Sequence, residues 1–496
     1  MIRQLRIILK PIIVINMLLA FFMILSGIYG IFLGEKESYT AFFKTTLLIM
    51  GLSFVLVLFS EKREKTTITI RSGFVLVVLI WIFTCFLGAL PYYISGAIPS
   101  MVDCLYESVS GFTTAGSSIL ADIEGLPYSI QLWRALTHWI GGGGIVVLSV
   151  AILPLLGIGS TQLMQAEASG VTKEKLTPRI TQTAKYIWLL YISLNIIGII
   201  LLSFGGMNLL DAFTHASSAI ATGGFSNKNT SVAYFSSAYI DWVLIVFMYI
   251  GSLNFLLLIK FAKGEVATFF KDTELKVFTA IILIVSFIIS FILYFQGGEY
   301  YQNMDGKYYN SYLDALRFSM FQVVSVISTT GFATADFNLW SSPAQVLIFL
   351  LFFIGGCAGS SSGGVKVIRH VIMFKQAVIN IKSLIHPKGV YTMRISRSTI
   401  PDKAIVSVLG FVILYLLIVF VASFIVAFSG LTPFESFSAV LGNLGTIGPG
   451  FGVVGPASNY GSLPDFAKIT LFITMIIGRL EIFTVLILFS PWFWKK

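Results

Sequence analysis

The chain has 496 residues, 56% of them hydrophobic and 11% charged, with a mean hydropathy of +0.88 and a net charge of +10. Soluble domains carry about 25% charged residues, so the composition excludes an ordinary soluble protein and indicates a polytopic membrane protein. Three cysteines (Cys85, Cys104 and Cys357) show no paired spacing and imply no disulfide framework.

In chain order, apolar runs predict ten membrane helices at 12–33, 41–60, 72–95, 131–158, 183–204, 237–262, 275–296, 342–372, 402–429 and 465–490. The first follows Arg3, Arg6 and Lys10. It is longer than a signal-peptide core and lacks a small-x-small cleavage site, so it is expected to be retained. Ten spans put both termini on one side of the bilayer. Of the 33 Lys and Arg, 25 cluster at 1–10, 61–71, 173–185, 260–276, 366–403 and 495–496, all on one face of that arrangement. That bias makes both termini cytoplasmic. It also accounts for the basic charge without a nucleic-acid partner.

Between the spans, beyond the first two helices, one pattern recurs four times. The segments read "ESVSGFTTAGSS", "HASSAIATGGFS", "FQVVSVISTTGFA" and "SAVLGNLGTIGPG". Aligned on glycine, they share Thr-x-Gly: Thr114-Ala115-Gly116, Thr222-Gly223-Gly224, Thr329-Thr330-Gly331 and Thr446-Ile447-Gly448. The glycines lie 108, 107 and 117 residues apart, so each unit is helix, short helix, Thr-x-Gly, helix. One Thr-x-Gly is noise; four in phase are a repeat architecture. The fold class is therefore an all-α membrane protein with four pseudo-symmetric repeats around one pore, plus two extra N-terminal helices. The corresponding units are 1–66, then repeats at 67–160, 161–265, 266–385 and 386–496.

A permeating monovalent cation must exchange water oxygens for protein oxygens, and a ring of backbone carbonyls supplies them. Glycine permits the dihedrals that turn carbonyls inward and lets four segments approach closely. The four Thr-x-Gly triplets are thus the expected metal-ion filter. Asp103, Asp211 and Glu435 each precede their filter glycine by 13 residues, near a short-helix N-terminus where an acid suits the dipole. The third repeat departs, with Phe318 at that place and Asp314 four residues earlier.

Two further features fall in the predicted spans. The span 342–372 is interrupted by "GGCAGSSSGG", which contains Gly355, Gly356, Gly359, Ser360, Ser361, Ser362, Gly363 and Gly364. Broken helices at membrane depth mark ion paths; a close-packing contact of small residues is the alternative. Arg479 lies mid-span in the last predicted helix. A charge there costs about 2.5–3.5 kcal/mol on insertion scales, so it should face a cavity or pair with an acid of another helix.

These motifs, with "THWIGGGGIVVLSVAILP", "QLMQAEASGVTKEKLTPRITQTAK", "GGCAGSSSGGVKVIR", "NLGTIGPGFG" and "IGRLEIFTVLILF", resemble the TrkH family of membrane subunits of Trk-type potassium uptake systems. The wider superfamily includes KtrB and plant HKT transporters, and the two extra helices favour TrkH over KtrB. The resemblance runs nearly end to end. It implies a pseudo-tetrameric potassium pore in one chain of the bacterial cytoplasmic membrane, usually a homodimer. It also implies a cytosolic nucleotide-binding regulatory ring, TrkA, on the inner face. The Gly/Ser break becomes an intramembrane gate loop, and Arg479 a pore-facing residue that contacts it. In this family serine at the first filter glycine accompanies sodium permeation, so Gly116 implies potassium. No organic cofactor and no enzymatic activity are expected.

Rival readings fit less of the chain. Gly359–Gly363 matches G-x-S-x-G with His370 nearby, as an intramembrane serine protease would require, but this leaves four repeats unexplained. A phosphate loop fails because Val365 stands where lysine is needed. A sodium- or proton-coupled symporter of the same superfamily remains the transport alternative; an alternating-access carrier would show two inverted halves. His138 and His215 read as packing residues, His386 as a loop residue, and Gly141–Gly144 as a close helix approach.

Overall fold

A computed structural model of the chain describes residues 2–59, 70–147, 176–296, 311–396 and 398–495. Among the described residues, six helices are long and apolar enough to cross a membrane: Pro11–Phe32, Lys36–Leu58, Arg71–Ile94, Gln182–Phe204, Thr273–Phe295 and Asp402–Ala427. The fourth predicted span appears as Tyr128–Val147; its continuation to 158 lies outside the described residues.

Each predicted short helix is present, at Met101–Thr113, Leu209–Ile220, Tyr312–Ile327 and Pro433–Leu444. Their starts are written the same way. Ser100, Asn208, Ser311 and Thr432 are N-caps whose side chains accept from the backbone N–H of Asp103, Asp211, Asp314 and Glu435. Such a cap is worth roughly 1 kcal/mol. The apparent departure of the third repeat therefore disappears. Its short helix has 16 residues where the others have 12 or 13, and Asp314 holds the same third helical position as the other acids.

The second helices of the later repeats differ from the expected continuous spans. Ala238–Gly251 and Phe255–Ala262 meet at 105°, and Asp465–Arg479 and Ile482–Phe489 at 110°. The first bend is set by Asn254, whose Oδ1 accepts from the backbone N–H of Leu256 and Leu257 and starts a new helix. At the second, Glu481 has φ 62°. In the third repeat the span is broken more widely than the Gly/Ser motif itself: helices Ser342–Leu351 and Val367–Ile385 flank a non-helical stretch between them.

Neighbouring repeats are stitched into a ring beside the four Thr-x-Gly segments. Arg134 of the first donates to the Ser226 carbonyl of the second at 3.0 Å. Ala233 N–H of the second donates to the Ala333 carbonyl of the third at 3.2 Å. Gly452 N–H of the fourth donates to Asn338 of the third at 3.0 Å. Tyr460 N–H of the fourth then returns to the Ser118 carbonyl of the first at 2.9 Å, and Lys468 pairs with Asp103 at 2.6 Å.

Candidate functional site

The four short helices end in one backbone motif. The N–H of Thr114, Thr222, Thr329 and Thr446 reaches back three residues, to the carbonyls of Gly111, Ala219, Val326 and Asn443, at 3.0–3.2 Å. The N–H of the next residue reaches back five, to Ser110, Ser218, Ser325 and Gly442, at 2.7–2.9 Å. This is a Schellman ending, whose left-handed position is normally glycine. Here it is threonine four times, with φ 53°, 52°, 59° and 53°. A left-handed conformation costs an L-residue roughly 1–2 kcal/mol, and such strain persists only where its surroundings impose it. Sequence reasoning found these threonines but not their conformation.

The glycines complete the geometry. Gly116, Gly224, Gly331 and Gly448 have φ 79°, 82°, 83° and 99°. A Cβ on Gly116 would land on the Gly223 carbonyl oxygen, one on Gly224 on that of Thr330, and one on Gly331 on that of Ile447. A Cβ on Gly448 would stand 2.7 Å from the Ala115 oxygen. Each of these glycines thus abuts the middle residue of the next Thr-x-Gly triplet, and the fourth closes on the first. The predicted filter residues are brought together as a closed ring of four backbone segments.

Polar struts hold each segment from behind. In the first repeat, buried Glu107 accepts from Ser118 and the Ile119 N–H and is held by Arg134 at 2.7 Å. The equivalent places in the second and third repeats hold His215, which meets Ser226 at 3.0 Å, and Gln322, which donates to the Ala335 carbonyl at 2.9 Å. In the fourth, Ser438 accepts from the Phe451 N–H at 2.9 Å. His138 stacks on Phe225 with ring centroids 4.0 Å apart. Both histidines are packing residues, and His386 follows a helix end.

Beneath the ring the short helices rest on glycines of the second helices. A Cβ on Gly141 would meet the Phe112 carbonyl, one on Gly251 that of Ile220, and one on Gly478 that of Leu444. Gly141–Gly143 therefore serve close approach as expected, while Gly144 faces open space.

The Gly/Ser loop lies directly against this layer. Ser361 Oγ lies 2.8 Å from the carbonyls of both Ile220 and Gly251, which share its one hydroxyl proton, and stands 3.4 Å from Thr222 Oγ1. Gly363 N–H donates to Thr329 Oγ1 at 2.8 Å, and a Cβ on Gly363 would strike Thr446 Oγ1. Gly355 abuts the Gly363 carbonyl and Gly356 the Ser362 hydroxyl, so the loop folds tightly on itself. Ser360 Oγ donates to the Cys357 carbonyl at 2.6 Å; Gly359 and Gly364 have φ 74° and 66°. No serine here meets a histidine: Ser361 is committed to two carbonyls, and His370 Nδ1 sits 3.3 Å from the Lys366 carbonyl.

Arg479 is not mid-span but the last residue before the 110° bend. It is 3% exposed. Its guanidinium donates to the Ser361 carbonyl at 2.6 Å and the Gly141 carbonyl at 3.2 Å. It thereby links the fourth repeat to the loop and to the first repeat, through carbonyls rather than an acid. Glu481 instead pairs with Arg369. Lys366, counted with the cytoplasmic charges, is buried and donates to the Ser362 carbonyl.

Residues 39–496 match the TrkH family, described as a cation transport protein. The chain is 37% identical over 478 residues to the Trk system potassium uptake protein TrkH of Salmonella typhimurium, covering 96% of each chain. To the Trk system potassium uptake protein TrkI of Halomonas elongata it is 32% identical, covering 99% of this chain and 97% of that one. The crystal structure of the potassium transporter TrkH from Vibrio parahaemolyticus aligns with a TM-score of 0.85 at 35% identity, over 98% of this chain and 99% of that one. The chain therefore belongs to the TrkH family of cation transport proteins.

Proposed function

We propose that this chain takes up potassium across the bacterial cytoplasmic membrane, with both termini inside, through the ring formed by the four Thr-x-Gly segments. One observation carries the reading: every filter glycine packs on the middle carbonyl of the next repeat, closing a ring. Carbonyls so crowded offer oxygen at a spacing that replaces water around a monovalent cation. The buried hydroxyls of Thr114 and Thr446, which have no hydrogen-bond partner among the described residues, offer further oxygen. Helix C-terminal ends aimed at the ring favour positive charge below it. Potassium-dependent growth of an uptake-deficient strain, followed by ion-replacement flux in liposomes, tests the reading. Flux of sodium equal to that of potassium would defeat it.

The Gly/Ser loop and Arg479 act as the gate beneath this ring. Deleting Gly359–Gly363 should raise potassium flux and weaken its dependence on a partner, with membrane insertion preserved. Lower flux in folded protein would make the loop a conductive lining instead.

A second copy of the chain completes a homodimer, and a cytosolic nucleotide-binding ring resembling TrkA docks on the basic segments 173–185 and 375–403. Residues 173–175 of the first segment, and Arg397, lie outside the described residues. In the second, Lys382 lies in the exposed last turn of the helix Val367–Ile385, and Arg394 opens a two-stranded hairpin. Changing Lys382, Arg394 and Arg397 to glutamate should reduce co-purification of the ring by roughly tenfold, as loss of about 1.4 kcal/mol would. Undiminished binding would leave those charges a topological role alone.

A further inference from the structure

Glu274 begins the helix Thr273–Gln296 and is 8% exposed. Its Oε1 accepts from the backbone N–H of Ala358 at 2.8 Å and of Ile368 at 3.1 Å. Ala358 precedes the serines of the loop, and Ile368 lies in the first turn of the helix after it. One carboxylate oxygen thus ties together both ends of the segment that touches Thr222, Thr329 and Thr446. Two backbone donors converge on this one side-chain oxygen, and burial removes the water that would compete for these amides.

The residue before it leads to the cytoplasmic surface. Thr273 N–H donates to Ser396 Oγ at 3.1 Å, and Ser396 Oγ donates to Thr273 Oγ1 at 2.9 Å. Ser396 turns the hairpin whose strands are Arg394–Ile395 and Ser398–Thr399, and holds φ 48° there. The same hairpin meets the helix that leaves the loop, where Lys375 Nζ donates to the Arg394 carbonyl at 2.7 Å. A cavity of about 310 Å³ lies beside the contact, lined by Lys260, Lys271, Glu274, Cys357 and Ser396 among others.

We propose that Glu274 is a positioning residue that clamps the loop closed, and that the hairpin at 394–399 operates the clamp through Ser396 and Thr273. A load on the hairpin would shift the head of the Thr273–Gln296 helix, withdraw the carboxylate from both amides and free the loop. This rests on the loop being the gate. It adds the connection between that gate and the cytoplasmic surface, with Ser396, Thr273 and Glu274 as its three links.

The test uses the full chain in liposomes, without a partner, in a Cys85→Ala, Cys104→Ala background that leaves Cys357 as the single thiol. Potassium flux and the rate of Cys357 modification by 2-aminoethyl methanethiosulfonate are measured together. Glu274→Ala should raise both by about tenfold or more, the effect of losing two buried hydrogen bonds. Glu274→Gln keeps an accepting oxygen and should stay within roughly threefold of the parent. Ser396→Ala changes only the hairpin turn and should speed Cys357 modification by about threefold; it reads the relay if Glu274→Ala folds poorly. Arg479→Ala is the control for the gate. Parental flux and labelling in Glu274→Ala, with raised flux in Arg479→Ala, would overturn the clamp and leave the gate. Parental flux in both would overturn the gate and the clamp with it. Unchanged labelling in folded Ser396→Ala would overturn the relay.

Discussion

Replacing Arg479 with alanine should raise steady-state potassium flux by about tenfold to a hundredfold, the effect of removing charge-assisted hydrogen bonds worth about 1.5–3 kcal/mol. Two physical effects act in the same direction. The guanidinium donates to the Ser361 carbonyl at 2.6 Å and so holds the loop against the layer below the ring. Its charge also opposes a cation: at a separation near 6 Å and an effective dielectric near 20, the repulsion is about 3 kcal/mol. Arg479→Lys should fall between parent and alanine, because lysine keeps the charge but cannot fork to two carbonyls. Folded yield should survive in both. The partners of Arg479 are the Ser361 and Gly141 carbonyls, so truncation leaves no acid stranded in the membrane. Size-exclusion yield measured beside liposome flux decides the matter, and low yield with low flux would reduce Arg479 to a structural strut.

The features legible in the sequence were those written locally and repeated. Four Thr-x-Gly triplets in phase identify the ring because each copy validates the others, and the N-terminal acids lie where a helix dipole wants them. Counting 13 residues back from glycine nevertheless made the third repeat look deviant. Its helix is a turn longer, and the cap Ser311, not the distance to glycine, places Asp314. The bends after Gly251 and Arg479 were missed for a different reason. "GSLNFLLL" and "GRLEIFTV" read as unbroken apolar helix, because neither the Asn254 side chain that caps a new helix nor Glu481 at φ 62° interrupts the apolar pattern around it. Lys366 and Arg369 looked like loop charges, since nothing local says that the chain turns inward and buries them. Glu274 stands 84 residues from the amide of Ala358, and no periodicity connects the two.

Gly116→Ser should lower discrimination between potassium and sodium by roughly tenfold, equivalent to about 1.4 kcal/mol between the two ions. The argument has a steric and a conformational part. At φ 79° an L-residue is strained, by about 1–2 kcal/mol. The new Cβ also collides with the Gly223 carbonyl oxygen, a backbone atom with no rotamer by which to retreat. That oxygen must turn or withdraw, and a quadrant of the ring then loses its spacing. The same logic ranks the other positions. Alanine at Gly224 or Gly331 meets the Thr330 or Ile447 oxygen just as closely and should disturb selectivity as much. Alanine at Gly448 finds the Ala115 oxygen at 2.7 Å and needs a smaller adjustment, so its effect on selectivity should be the mildest of the four. Reversal-potential or ion-replacement flux measurements in liposomes give the ratios directly. Equal permeability ratios across parent and all four variants would mean that these glycines do not border the ion, and that selection occurs elsewhere in the chain.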